Sequence, residues 1–143
     1  MSTRCQIAFA YEPVWDEAKT PALIYRHSDG YPDGAGTDLL AFFDDVSAAS
    51  PTDTRFNDPE YLASRFVVWL TQQYAAGGYR DNKSTLAQIG IGVSRRLHGD
   101  IEYLYVVHCG GSFRPAVLVY TDLLDGKPRG KPMTLEDALA GQV

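Results

Sequence analysis

The most constraining feature of the sequence is an apolar stripe with helical spacing between residues 58 and 78. Residues three or four positions apart share one face of an α-helix. The residues that recur at this spacing are Leu62, Phe66, Leu70 and Tyr74, broadened by Ala63, Val67 and Trp69. Asp58 suits the N-cap and Pro59 the first turn, and two glycines at 77 and 78 permit a left-handed exit. The pattern predicts a long helix over residues 58–76 whose apolar side packs against a sheet.

Two strand patterns precede this helix. Residues 4–11 alternate with a period of two, which places successive side chains on opposite faces of a sheet. One set is Cys5, Ile7, Phe9 and Tyr11, and the other is Arg4, Gln6, Ala8 and Ala10. Residues 23–27 form a second strand, and the connection is too short for a crossover. We therefore predict an antiparallel hairpin that delivers His27 and Asp29 to an edge or end of the sheet.

A shorter helix and three further strands complete the predicted order. Apolar residues recur at helical spacing after Thr37, the expected N-cap, until Ser50 and Pro51 end the pattern. Strands are predicted over residues 87–94, 101–107 and 116–120, with a tight hairpin turn over residues 97–100. Thr134, with Asp137 three residues later, resembles a capping box and predicts a short C-terminal helix.

The predicted strand over residues 87–94 carries very small residues on one face. Gly90 and Gly92 alternate there with Ile89, Ile91 and Val93. Glycine in a strand indicates that another group approaches the backbone closely. Two interpretations stay open, because either a helix that packs over the glycines or a ligand would use this space.

The predicted order is ββααβββ with a short C-terminal helix, which favours an α+β fold in a single globular domain over residues 1–143. We expect a mostly antiparallel sheet of about five strands with the two main helices on one face. Parallel pairing stays open where the helices intervene between strands.

Composition argues against several classes of partner, although a local basic patch stays open. The formal net charge of -5 and the pI near 5.0 oppose non-specific binding to nucleic acid or an anionic membrane. No apolar run approaches the roughly 20 residues that cross a bilayer, and the opening lacks a leader pattern, so we expect a cytoplasmic protein without a membrane partner. Cys5 and Cys109 form no Cys-x-x-Cys pair and indicate buried thiols, with a disulfide as the alternative if their strands are neighbours.

Two His-x-Asp triplets, His27-Ser28-Asp29 and His98-Gly99-Asp100, lie where predicted strands meet turns. Imidazole and carboxylate groups from two loops suit zinc or manganese, so a metal-dependent hydrolase is the alternative function. The other interpretation assigns both triplets to turn chemistry. The sequence contains no nucleophile elbow, dinucleotide fingerprint or phosphate loop, and we predict no cofactor.

A binding site suits the available side chains better than a catalytic one. Aromatic rings and cations supply stacking surfaces and charge without a nucleophile. The candidate ligand-binding residues are Tyr25, Arg26, His27, Asp29, Tyr31, Arg95, Arg96 and Tyr103. They predict a small accessory protein that binds, without turnover, a small anionic or aromatic ligand resembling a nucleotide, or a protein partner. Nine tyrosines, two tryptophans and open sheet edges also suit a homo-oligomer.

Two segments carry a resemblance to known proteins. Residues 2–7, and residues 24–32 with their Tyr-x-His-x-Asp-Gly-Tyr-Pro core, resemble a group of small proteins of bacteria and their phages. The resemblance covers about the first quarter of the chain, and residues 99–105 are the second stretch with similarity. It implies a phage-associated or accessory-gene role and brings no catalytic assignment.

Overall fold

The computed structural model describes residues 2–76, 86, 89–111 and 113–141. Its strands are β1 (Cys5–Ala10), β2 (Ala22–Arg26), β3 (Ile91–Val93), β4 (Tyr103–His108), β5 (Ala116–Tyr120), β6 (Leu123–Leu124), β7 (Lys127–Pro128) and β8 (Met133–Thr134). Its α-helices are α1 (Thr37–Ala49), α2 (Pro59–Ala76) and α3 (Leu135–Ala140). Six strands form one sheet in the order β3-β2-β1-β4-β5-β8, and β6 pairs with β7 separately.

The sheet is antiparallel except where β1 lies parallel to β4. Strands β1 and β2 form the predicted hairpin, with Ile7 opposite Ile24. The helices α1 and α2 lie between β2 and β3, which pair antiparallel, so they do not produce the parallel pair. Strand β4 lies parallel to β1 because the chain between β3 and β4 crosses β2 and β1 and enters the sheet again in the direction of β3. The α+β class and the mostly antiparallel sheet are confirmed. The sheet has six strands rather than about five, because the two-residue strand β8 extends its edge.

The helix ends agree with the local capping signals in two of three cases. The Asp58 carboxylate accepts from the Tyr61 backbone N–H at 3.2 Å, and the Thr134 hydroxyl accepts from that of Asp137 at 3.2 Å. Thr37 was expected as an N-cap, but a π-helical turn, Pro32–Gly36, runs directly into α1 and makes Thr37 part of the helical segment. The glycines predicted to end α2 lie outside the described residues. None of the described helices is both long and apolar enough to cross a membrane.

The helices cover one face of the sheet and form the main core there. Phe66 of α2 is fully buried, with ring centroids 5.9 Å from Phe9, 5.1 Å from Phe42 and 6.2 Å from Trp69. Cys5 and Cys109 lie in the same core as free, buried thiols, as predicted. These contacts show that the apolar stripe of α2 is the side of the helix that packs against the sheet.

The opposite face of the sheet, which we call the open face, is covered by loops instead of helices. Its smaller core consists of Ala8, Leu23, Ile101, Leu104, Val106 and Tyr120. Trp15, from the β1–β2 connection, packs against this core, and its backbone N–H donates to the Tyr120 hydroxyl at 3.1 Å.

Residues 94–102 cross the open face, so the predicted hairpin turn over residues 97–100 is wrong. Strand β3 pairs with β2, and β4 pairs with β1, so two strands lie between β3 and β4. A turn confined to four residues cannot span them. The connection instead passes over β2 and β1 and carries Arg95, Arg96 and His98 onto the open face.

Candidate functional site

The period of two divides the candidate residues of β2 between the two faces. Tyr25 packs against the open-face core, and its ring centroid lies 6.5 Å from that of His27. Arg26 points to the helix side, where its side chain is only 7% exposed and its Nη1 lies 2.7 Å from an Asp38 carboxylate oxygen. Its Nε also donates to the Ser28 carbonyl at 2.9 Å. Arg26 therefore joins β2 to α1 instead of standing beside Tyr25 and His27.

The turn after β2, which carries the candidate residues Asp29 and Tyr31, is packed as a structural junction. Gly30 donates its N–H to the Thr3 carbonyl at 2.9 Å and accepts from the Tyr105 hydroxyl at 2.6 Å. A Cβ atom at Gly30 would lie 2.8 Å from both Cys5 Cβ and the Thr3 carbonyl oxygen. The glycine in the Asp-Gly-Tyr-Pro motif is therefore required by the close approach of β1.

Asp29 and Tyr31 interact with each other beside this junction. Asp29 has a φ of 56°, and its carboxylate accepts from the Tyr31 hydroxyl at 3.3 Å. The negative charge of Asp29 raises the pKa of Tyr31. Both residues are exposed, but neither lines the open-face pocket described below.

Tyr103 also lies apart from Tyr25, on the helix side. Its ring stacks on that of Tyr105 with centroids 6.3 Å apart. It lines a cavity of about 200 Å³ that also includes Pro32 and Asp137. The structure therefore does not bring the eight candidate residues together, because Arg26 and Tyr103 face the helices.

A buried side chain holds the crossing loop in place. Gln6 is 0% exposed, its amide Nε2 donates to the Arg96 carbonyl at 2.9 Å, and its Oε1 accepts from the His98 backbone N–H at 2.7 Å. These bonds satisfy the polar ends of a buried amide. No local pattern predicts this role, because the partners of Gln6 lie about 90 positions away in the chain.

The crossing loop forms one side of a pocket of about 380 Å³ on the open face, which we call the Arg95–Arg96 pocket. The residues that line it are Trp15, Glu17, Ala18, Thr20, Pro21, Leu23, Ser94, Arg95 and Arg96. A short 3-10 helix, Glu17–Lys19, supplies part of the opposite wall. Trp15 was not among the predicted site residues, because a single tryptophan in a loop carries no positional signal.

The two arginines of this pocket differ from the other described arginines. Six of the eight place the side chain against a carboxylate or a backbone carbonyl: Arg4, Arg26, Arg55, Arg65, Arg114 and Arg129. Within the described part of the chain, the exposed side chains of Arg95 and Arg96 make no such contact. Glu17 is the acidic group among the lining residues, so two positive charges face one negative charge. The pocket can therefore accept an anion.

An aromatic cluster adjoins the pocket. Tyr25 stacks on His98 with ring centroids 4.4 Å apart, and His98 Nε2 lies 3.5 Å from the hydroxyl of Ser94, a pocket residue. The Tyr25 hydroxyl donates to Asp100 at 3.4 Å, and Asp100 is paired with Arg4 at 3.2 Å. Partial burial raises the pKa of Tyr25, and the charge of Asp100 raises it further. The contacts with His98 and Asp100 hold the Tyr25 ring beside the pocket.

The two His-x-Asp triplets do not form a metal site. Both imidazoles lie near the Tyr25 ring, with centroid distances of 6.5 Å for His27 and 4.4 Å for His98, while Asp29 and Asp100 contact different partners. In residues 2–76, 86, 89–111 and 113–141, no group of three or more His, Cys, Asp or Glu residues is arranged to hold a metal ion. The geometry therefore gives no support to a metal-dependent hydrolase built on these residues.

A second cavity of similar size, about 360 Å³, lies between α1 and α2 and contrasts with the first. Its lining is mainly apolar, and its Trp69 indole N–H is already bound to the Asp45 carboxylate at 2.7 Å. Arg65, its cationic lining residue, donates to the backbone carbonyls of Asp53 and Thr54. The Arg95–Arg96 pocket is therefore the better candidate for an anionic ligand.

Comparisons with protein-family models, with curated proteins and with solved structures find no match for this chain. The resemblance to small bacterial and phage proteins accordingly stays a prediction. The function of the protein is therefore inferred from the side chains that line the Arg95–Arg96 pocket.

Proposed function

We propose that the protein binds a small anionic ligand, nucleotide-like in that it also carries an aromatic ring, in the Arg95–Arg96 pocket without turning it over. The observation that carries this proposal is a pair of adjacent arginines whose side chains have no partner among the described residues, in a protein of net charge -5. In such a chain, surplus carboxylates are available to pair with cations, and the other described arginines are engaged. Two guanidinium groups left free in a concave site favour phosphate or carboxylate recognition.

The surroundings of the arginines favour binding over catalysis. The pocket volume of about 380 Å³ lies within the range typical of small-molecule sites. Trp15, Thr20 and Ser94 add a ring and two hydroxyl groups, which serve to orient a ligand. Neither cysteine supplies a nucleophile here, since both thiols lie buried in the core on the helix side.

Thermal unfolding with added pyrophosphate tests the proposal. A ligand that binds only the folded protein raises the unfolding temperature, and the rise grows with the logarithm of the ligand concentration once this exceeds the dissociation constant. Pyrophosphate should raise it for the wild type but not for the Arg95→Ala/Arg96→Ala double variant, at ionic strength matched with sodium chloride. Arg129→Ala is the control, because it removes an exposed arginine that is paired with Asp122 at 2.8 Å outside the pocket. An equal rise for all three proteins, or none for the wild type, would contradict the proposal.

The wider biological setting is also a proposal. We infer a cytoplasmic accessory protein, associated with phages as the motif resemblance implies, that functions as a homo-oligomer. Light scattering after size-exclusion chromatography tests the oligomeric state, and a monomer at micromolar concentration would contradict it.

A further inference from the structure

We propose that the ligand is a nucleoside monophosphate whose base stacks on Tyr25 above Gly92, with its phosphate in the Arg95–Arg96 pocket. This inference rests on the proposed function, because it takes the arginine pair as the anion site. It adds a second subsite for a planar ring and thereby specifies the class of ligand.

The register of β2 and β3 places the two subsites on neighbouring rungs of one ladder. Ser94 donates its backbone N–H to the Leu23 carbonyl at 2.9 Å, and both residues line the pocket. The next rung on the same face pairs Tyr25 with Gly92. Residues two apart in a strand are separated by about 7 Å. The floor of the pocket therefore continues directly to Tyr25.

The Tyr25 ring is fixed and has one side without a cross-strand side chain. His98 covers one face of the ring at 4.4 Å, and Asp100 accepts from its hydroxyl. Across the ladder, Gly92 carries no side chain, and a Cβ atom added there would have Tyr25 Cβ, at 3.7 Å, as its neighbour within 4 Å among the described residues. Of the two interpretations of the glycines, packing by a helix is therefore not observed within the described residues.

The distance between the Tyr25–Gly92 rung and the Arg95–Arg96 pocket suits one small molecule that occupies both. A nucleoside monophosphate carries its base and its phosphate on opposite ends of one sugar, so it can reach both Gly92 and the arginines. His27, on the rung beyond Tyr25, donates its backbone N–H to Gly90 at 2.9 Å and places an exposed imidazole beside the proposed base. Aromatic and imidazole rings are the groups on which bases commonly stack in proteins.

Calorimetric titration of the wild type with inorganic phosphate and with each of the four nucleoside 5′-monophosphates tests this inference. Base stacking should make at least one nucleotide bind about tenfold or more tightly than phosphate. Gly92→Leu fills the base subsite, and Tyr25→Leu removes the ring while keeping an apolar side chain. Either variant should reduce nucleotide affinity to that of phosphate and leave phosphate binding unchanged. Gly111→Leu is the matched control, because this glycine is exposed and an added Cβ would have no neighbour within 4 Å among the described residues outside its own segment.

The outcomes separate this inference from the proposed function. Phosphate binding that depends on Arg95 and Arg96, without tighter nucleotide binding, overturns the base subsite alone. Full nucleotide affinity in Tyr25→Leu also overturns it, and this variant decides the question if Gly92→Leu fails to fold. Failure of phosphate and of every nucleotide to bind the wild type overturns the proposed function as well.

Discussion

The two faces of the sheet use the same types of residue in opposite ways. On the helix side, Arg26 is buried and paired with Asp38, and aromatic rings such as Phe66 pack against one another. On the open face, Arg95 and Arg96 are exposed in a pocket, and Tyr25 contacts solvent and His98. The difference shows that residue type alone did not identify the site. A charged or aromatic side chain is a candidate for ligand binding when it is exposed and has no partner within the fold, as Arg95 and Arg96 are among the described residues.

Removal of a core ring should have the largest effect. Phe66→Ala should cost about 3 to 5 kcal/mol, because it removes a fully buried aromatic side chain and leaves a cavity among three other rings. His27→Ala on the open face should change stability by less than about 0.5 kcal/mol, because His27 is exposed. Urea unfolding curves measure both changes in the free energy of unfolding. Equal losses in the two variants would contradict the view that the helix side holds the fold together while the open face has exposed side chains.

The junction after β2 should be the next most sensitive. Gly30→Ala should cost about 1 to 3 kcal/mol, because its Cβ would lie 2.8 Å from Cys5 Cβ and the Thr3 carbonyl oxygen. Gly99→Ala is the control on the open-face loop, because an added Cβ there would have no neighbour within 4 Å in the described part of the chain. The same urea unfolding assay measures both variants. If Gly30→Ala leaves the free energy of unfolding unchanged, the close approach of β1 does not require this glycine, and the Asp-Gly-Tyr-Pro motif becomes a candidate for binding again.

Local patterns predicted the elements of the fold more successfully than their arrangement. The spacing of Leu62, Phe66 and Leu70 identified α2, and the alternation around Ile7 identified β1, because both signals lie within one element. Strand order depends on contacts between distant segments. The predicted hairpin at residues 97–100 therefore failed where β1 and β2 separate β3 from β4.

The candidate site was predictable only in part for the same reason. The alternation of β2 already implied that Arg26 points away from Tyr25 and His27. The chemistry of Arg95 and Arg96 was visible in the sequence, but their placement depends on Gln6, some 90 residues earlier. Nothing in a single sequence reports that contact.

The buried thiols should make stability depend on pH. Burial raises the pKa of Cys5 and of Cys109 from 9.0 to about 12 each. Between these values the unfolded chain loses protons that the folded protein retains, so the free energy of unfolding falls as pH rises. Each thiol should contribute a decline of about 1.4 kcal/mol per pH unit above about pH 9, and its full stabilisation is present below that pH.

A cysteine-free variant provides the measurement of this effect. Urea unfolding of the wild type and of Cys5→Ala/Cys109→Ala at pH 8 and pH 10 isolates the contribution of the thiols from that of other groups. The decline should be smaller in the variant. Identical pH dependence in the two proteins would mean that the thiols ionise as readily in the folded protein as in the unfolded chain.

The smallest expected effect on stability is at the pocket itself. Arg95→Ala and Arg96→Ala should each change the free energy of unfolding by less than about 0.5 kcal/mol, because the exposed side chains contact no carboxylate among the described residues. Gln6→Ala provides the contrast, since it leaves the Arg96 carbonyl and the His98 N–H without their buried partner and should cost about 1 to 3 kcal/mol. Urea unfolding without added anions measures these changes. A large loss in either arginine variant would show that the arginines support the loop, and the argument for a free anion site would then fail.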